Sequence, residues 1–247
     1  MKPVELFGPM GAGKSTLFKC LTRPQSAETK WTGFLDAKFK EVWKEKYSRS
    51  KVIGTLYWAL GQNDRLRRAI IAPYQSPSVW DSLERSSGQW SPLIRYVLYG
   101  LENGSCAPLA DTVRRYQWFL QALADRIYLE DKCRDDECVV FDEGIIQKGI
   151  ALSLMQRDAL GTLRQFLNIM PPPNLAIHVS RPLISLRERL IARDGSNARL
   201  LPYLEESERL SRLAVGMLRA QGIEVIEIQS PGSALDERLE HCLSQLT

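Results

Sequence analysis

Gly8-Pro-Met-Gly-Ala-Gly-Lys-Ser15 follows a short apolar run, Val4-Glu-Leu-Phe7, and matches the spacing G-x-x-x-x-G-K-[ST] of a phosphate-binding loop. The run reads as a strand, and the residues from Ser15 to about Leu21 read as a helix. In such a unit glycines let the main chain wrap closely around a triphosphate, successive N–H groups turn inward, and the helix offers its positive end to the anion. The expected nucleotide-binding residues are therefore Gly8, Pro9, Met10, Gly11, Ala12, Gly13, Lys14, Ser15 and Thr16. Lys14 neutralises the β- and γ-phosphates in this arrangement, and the Ser15 hydroxyl holds Mg²⁺. A ligand-free glycine turn is the competing reading, and it leaves Lys14-Ser15-Thr16, in register with strand and helix, unaccounted for.

Outward from the loop, the chain changes character twice. From Glu137 onward strands and helices alternate. Cys138-Val-Val-Phe141, Leu175-Ala-Ile-His-Val179 and Ile223-Glu-Val-Ile-Glu-Ile228 read as buried strands. Helices are expected at about Ile146 to Asn168, Leu183 to Ala192, Tyr203 to Gln221 and Ala234 to Gln245, with Pro171-Pro-Pro173 and Gly222 ending helices ahead of strands. Alternation of this kind predicts an α/β fold of the P-loop NTPase type, a parallel five-stranded sheet flanked by helices, as one domain over residues 1–247. Residues 26–137 read as a large helical insert, with helical patterning over Phe34 to Lys46, Val52 to Leu60, Arg65 to Ile71, Pro92 to Leu101 and Leu109 to Glu130. Pro73, Pro77, Gly88 and Asn103-Gly104 punctuate it. All six tryptophans lie inside this insert.

The apolar strand Val139-Val-Phe141 delivers Asp142 and Glu143 to its carboxyl end, the edge of an open α/β sheet where ligands bind. Asp142 is the expected carboxylate for Mg²⁺, acting through a bound water, because this ion keeps several waters and is oriented by an acidic group. A helix cap near Ile145 is the plainer role for the same residue. Glu143 polarises an attacking water in an ATPase, whereas in a kinase that position holds or deprotonates an acceptor hydroxyl. After the next strand, Arg187, Arg189 and Arg193 lie in Leu186-Arg-Glu-Arg-Leu-Ile-Ala-Arg193, and the last two share one side of a helix. Their planar forks suit a phosphoryl group in transfer, although a cationic helix face is often only solvated. Lys14, Asp142, Glu143, Arg189 and Arg193 form the expected catalytic set.

The order of phosphate loop, helical insert, acidic strand end, L-x-x-R-h-x-x-R segment, Tyr203-Leu-Glu-Glu and final Gly222-Ile-Glu-Val-Ile-Glu-Ile resembles the nucleoside and nucleotide kinase family, thymidylate kinase in particular. The resemblance covers residues 1–22 and about 138–247. It implies that residues 181–200, with Arg187, Arg189 and Arg193, form a lid over ATP, and that the insert builds the acceptor pocket. Thymidylate kinases carry an arginine-containing motif where this chain has Asp142-Glu143-Gly144, and deoxynucleoside kinases carry Glu-Arg-Ser. Arg95, Arg114 and Arg115 are the candidates to replace that arginine, and Arg65-Leu-Arg67-Arg68 reads equally as an acceptor clamp or as surface charge.

With 44% hydrophobic and 25% charged residues, the 247-residue chain has the composition of an ordinary globular protein, and its charge of +4 selects no partner. No apolar run approaches the roughly 20 residues of a membrane helix, and no signal-peptide pattern opens the chain, so a cytoplasmic protein without membrane partners is expected. Cys20, Cys106, Cys133, Cys138 and Cys242 are scattered, and with only His178 and His241 beside them they read as reduced thiols. Phe39, Trp43 and Tyr47 form a stripe that would stack a base or RNA, or pack into a core; the core is the commoner outcome. The leading functional expectation is a kinase using ATP and Mg²⁺ on a small-molecule acceptor such as a nucleoside or nucleotide. Nucleic acid is not an expected partner, and a homodimer is left open. The alternative is a P-loop ATPase acting as a switch or motor on protein or nucleic acid. No N-K-x-D guanine motif and no LSGGQ-type signature is present.

Overall fold

In the computed structural model of the chain, residues 1–22, 31–46, 87–103, 108–154, 156–195 and 201–229, with Thr55 and Ala59, are described. The strands are β1 (Lys2–Phe7), β2 (Trp31–Gly33), β3 (Cys138–Phe141), β4 (Leu175–Ser180) and β5 (Val225–Gln229). They form one sheet in the order β2-β3-β1-β4-β5, and every neighbouring pair is parallel. The helices are α1 (Lys14–Leu21), α2 (Phe34–Lys46), α3 (Ser87–Asn103), α4 (Leu109–Lys132), α5 (Ile145–Ser153), α6 (Ala159–Ile169), α7 (Leu183–Asp194) and α8 (Leu204–Ala220). The expected helices over Val52 to Leu60, Arg65 to Ile71 and Ala234 to Gln245, and the cations Arg65, Arg67 and Arg68, lie outside the described residues.

The sheet is buried on both faces, which is why its strands read as nearly continuous apolar runs. Successive side chains alternate between two cores. Phe7, Val139, Phe141, Ala176 and Val225 pack with α2 to α6 and α8. Val4, Leu6, Val140, Ile177, Val179 and Ile226 face the other way, against α1 and α7. The chain therefore leaves β1 toward one face and β3 toward the other, and the crevice between these adjacent strand ends is the switch point where open α/β sheets hold ligands.

Three local features depart from the sequence reading. The fifth strand, β2, lies in the segment read as mostly helical, where the sequence reading placed no strand; Trp31 supplies it with a buried side chain and Gly33 pairs with Val140. The single helix expected over Ile146 to Asn168 is two helices, because the Asp158 carboxylate accepts the Gly161 N–H at 2.8 Å and caps a new start. Gly88, read as a breaker, lies in the first turn of α3. Of the aromatic stripe on α2, Phe39 is in the core and Trp43 is half-buried, so these two follow the packing alternative.

Candidate active site

The phosphate loop bends tightly over the ends of β1 and β4. Gly8 has φ of 142°, and a Cβ there would stand 2.1 Å from the Val179 carbonyl oxygen, so no other residue fits without backbone movement. Its N–H donates to Gln147 Oε1 at 3.0 Å, which ties the loop to α5. Arg181 Nε donates to the Ala12 carbonyl at 3.0 Å and ties it to the turn between β4 and α7. The Lys14 ammonium is buried beneath the loop, donating to the Gly8 and Pro9 carbonyls at 2.7 and 3.0 Å. Burial lowers its pKa to about 8, against the attraction of Glu143 and, next, Asp142. No side chain caps α1 at Gly13, so its first N–H groups are free of that competitor for an anion.

A cavity of about 580 Å³ opens over the loop, lined by Gly13, Lys14, Ser15 and Thr16 on one side and by Glu143, Arg189 and Arg193 on the other. The Ser15 and Thr16 residues are exposed to it. Lys14 and the two α7 arginines thus face one anion-sized space, which fits the polyphosphate of a nucleotide. Arg193 is at present paired with the neighbouring Asp194 at 2.6 Å. Arg187 points elsewhere: its nearest carboxylate is the exposed Glu205 at 3.4 Å, and it does not line the cavity.

The acidic strand end is placed by a buried charge that the sequence reading passed over. Glu5, inside β1, accepts the Ile146 N–H at 2.8 Å and an Arg126 Nη1–H at 3.1 Å, while Arg126 Nε donates to Glu130 at 2.7 Å. A Cβ on Gly144 would lie 2.5 Å from the Glu5 carboxylate, so glycine is required after Asp142-Glu143. Burial raises the Glu5 pKa, offset in part by Arg126. An acidic residue in the strand ahead of a phosphate loop was the available signal.

Asp142 and Glu143 differ in reach. Glu143 lines the cavity over the loop and also a second one of about 360 Å³, which it shares with Asp142 and with Phe34, Trp118, Gln121, Asp125 and Phe141. Glu143 lines the cavity that Ser15 lines, and both Glu143 and Asp142 act on the Lys14 ammonium. Burial raises the Asp142 pKa and the Glu143 charge adds to the shift. Burial also acts to raise that of Glu143, but Lys148, at 3.0 Å, with Lys14 and Arg193, outweighs it and lowers the value. Gln121 and Asp125, one turn apart on α4, were missed in the sequence; Gln121 Nε2 donates to Asp125 Oδ1 at 3.0 Å, and Asp125 also pairs with the buried Lys38.

Fold and site together define an α/β protein of the P-loop type, with a phosphate loop and an acidic strand end on adjacent strands. No protein-family model matches the chain, and no curated protein does. Among solved structures it is similar to the deoxyadenosine kinase of M. mycoides, in one case described with the products dCMP and a flexible dCDP bound and in another with bound dCTP. The identities are 14% and 12%, the alignments cover 99% of this chain and 98% of each of those, and the TM-score is 0.42 in both. Among the described residues no helix is long and apolar enough to cross a membrane.

Proposed function

We propose that the protein is an ATP- and Mg²⁺-dependent phosphotransferase that moves the γ-phosphoryl group of ATP to a small-molecule acceptor of the nucleoside or nucleotide kind. The observation that carries this reading is the convergence at Glu143: the cavity over the phosphate loop and the aromatic cavity beside it both reach this one carboxylate. Hydrolysis needs room for a water only, whereas a space of about 360 Å³ walled by Phe34, Trp118 and Phe141 suits a planar ring. Lys14, Arg189 and Arg193 take the charge on the transferring oxygens, and Ser15 with Glu143 would hold Mg²⁺, which supplies further charge neutralisation when bound. Asp142, on the aromatic side, accepts the acceptor's hydroxyl proton as that oxygen bonds to phosphorus and the bond to the ADP oxygen breaks.

Purified protein with Mg²⁺ and ATP alone is expected to release ADP slowly, and much faster once a matching acceptor is supplied from a panel of nucleosides, nucleotides and sugars. Vigorous ADP release without any acceptor, stimulated by nucleic acid or a protein, would instead favour an ATP-driven switch or motor.

A further inference from the structure

A third cavity, of about 290 Å³, lies between α4, α5 and the start of α8, and it shares Met10, Glu143 and Arg193 with the cavity over the phosphate loop. Its wall toward the aromatic cavity is Trp118 with the Glu143–Lys148 pair. The two side cavities are opposite in charge. The aromatic one has three carboxyl groups, Asp125, Asp142 and Glu143, against Lys148. The third has Arg115, Lys148 and Arg193 against Glu143 alone.

Arg115 is the distinctive group there. Its Nη1 donates to the Ala151 carbonyl near the end of α5 at 2.8 Å, and its guanidinium lies 5.9 Å from the Tyr203 ring centre. That hydrogen bond and the ring hold the fork in place and engage one of its five N–H donors. Among the described residues no carboxylate lies within ion-pairing distance of it, while the neighbouring Arg114 is exposed and approaches Asp111 at 3.9 Å. Burial acts on Arg115 to lower its pKa, so an incoming anion would restore favourable surroundings to the cation.

We infer that this third cavity is an oxyanion subsite, in which Arg115 binds a phosphate or carboxylate carried by the acceptor. The acceptor spans two side cavities, its ring in the acidic aromatic one and its anionic group beside Arg115. No bond changes at the subsite; it selects an anionic acceptor over the neutral parent. Arg115 is thereby a specificity residue, and the inference rests on the phosphotransferase reading.

The test first fills the phosphate loop with Mg²⁺ and the non-hydrolysable ATP analogue AMP-PNP, whose heat of binding reads the nucleotide site by itself. Inorganic phosphate and acetate are then titrated separately by calorimetry into the wild type, Arg115→Gln and Arg114→Gln. Glutamine keeps a donor for the Ala151 carbonyl, and thermal melting confirms that each variant is folded. Saturable binding of phosphate, acetate or both, weakened at least tenfold in Arg115→Gln and unchanged in Arg114→Gln, is expected; the ion preferred tells a phosphate-bearing from a carboxylate-bearing acceptor. In the phosphorylation assay the wild type should favour acceptors that carry a phosphate or carboxylate in addition to the hydroxyl that is phosphorylated over their neutral parents, and Arg115→Gln should lose that preference. Binding of neither ion, or equal binding by Arg115→Gln and wild type, overturns the subsite while AMP-PNP heat leaves the phosphotransferase reading intact. Absence of AMP-PNP heat strikes that reading instead.

Discussion

The two adjacent carboxyl groups share the aromatic cavity but differ in surroundings, because Glu143 also lines the two cavities that hold Arg193 and pairs with Lys148. Asp142 has a pKa above the ordinary carboxylate value through burial and the Glu143 charge, while cations hold Glu143 ionised. A base must be deprotonated, so turnover should fall as pH drops through the raised Asp142 value. Asp142→Asn should lower kcat by about 10²- to 10⁴-fold and remove that acidic limb from the residual rate. Glu143→Gln should keep the limb and raise the Mg²⁺ concentration needed for half-maximal rate. A limb unchanged in Asp142→Asn would remove the residue from the proton transfer. Lys14 gives a second pH signature. Its pKa of about 8 means that the ammonium is lost as pH rises through that value, so ATP affinity should weaken between pH 7.5 and 9.5. Over the same range and up to the ordinary lysine value, the unfolded chain keeps a proton that the folded one has released, so stability of the unliganded protein should rise with pH. Lys14→Met should flatten both curves in calorimetry and urea denaturation.

At the scale of elements, the candidate site depends on how β1, α4 and α5 are pinned together. Glu5 and Arg126 are each almost wholly buried, and Glu5 also holds the first turn of α5 through the Ile146 N–H. Removing one member of a buried ion pair strands the other charge. Arg126→Met should therefore lose about 3–5 kcal/mol of stability, read by urea denaturation, whereas Glu5→Gln with Arg126→Met should recover part of that loss. A double variant no more stable than Arg126→Met would mean that packing rather than stranded charge sets the cost. The break between α5 and α6 has a different origin: a short carboxylate at Asp158 competes for backbone donors and restarts the helix. Helical periodicity runs across residues 145–169 with little interruption, so the apolar pattern did not reveal the break, whereas a cap residue followed by Gly161 did carry the signal.

For the whole molecule, three cavities meet at Glu143, and helix α7 lines two of them. Arg193 lines two of the three cavities and is paired with Asp194. A side chain that engages the phosphoryl group only in the transition state should affect kcat far more than the KM for ATP. Arg193→Ala is expected to lower kcat by about 10²-fold or more with ATP KM changed less than about threefold, read by steady-state ADP release. Arg187→Ala, on a residue turned to Glu205, should leave kcat within about twofold of wild type. Equal losses in kcat and ATP affinity for Arg193→Ala would make it a nucleotide-binding residue only.

Local sequence determined the parts of this protein that depend on neighbours along the chain. The loop from Gly8 to Ser15, strands β3 and β4 and helix α2 all follow from motif spacing and from side chains whose period places them in a core. The acidic end of β3 was legible for the same reason, since an apolar run ending in two carboxylates has one physical place in a sheet buried on both faces. Tertiary structure alone decided that Glu143 lines three cavities and Asp142 shares one of them, that Arg115 lines a cavity with Glu143, and that Trp31 to Gly33 adds a strand at the edge. Those outcomes arise from contacts between residues far apart in the chain, such as Glu5 with Arg126, 121 positions on, and Gly8 with Gln147, 139 positions on, and local pattern does not record such contacts. The chemistry was therefore present in the residue types, and its division among three cavities came from how the sheet and α4 are set against each other.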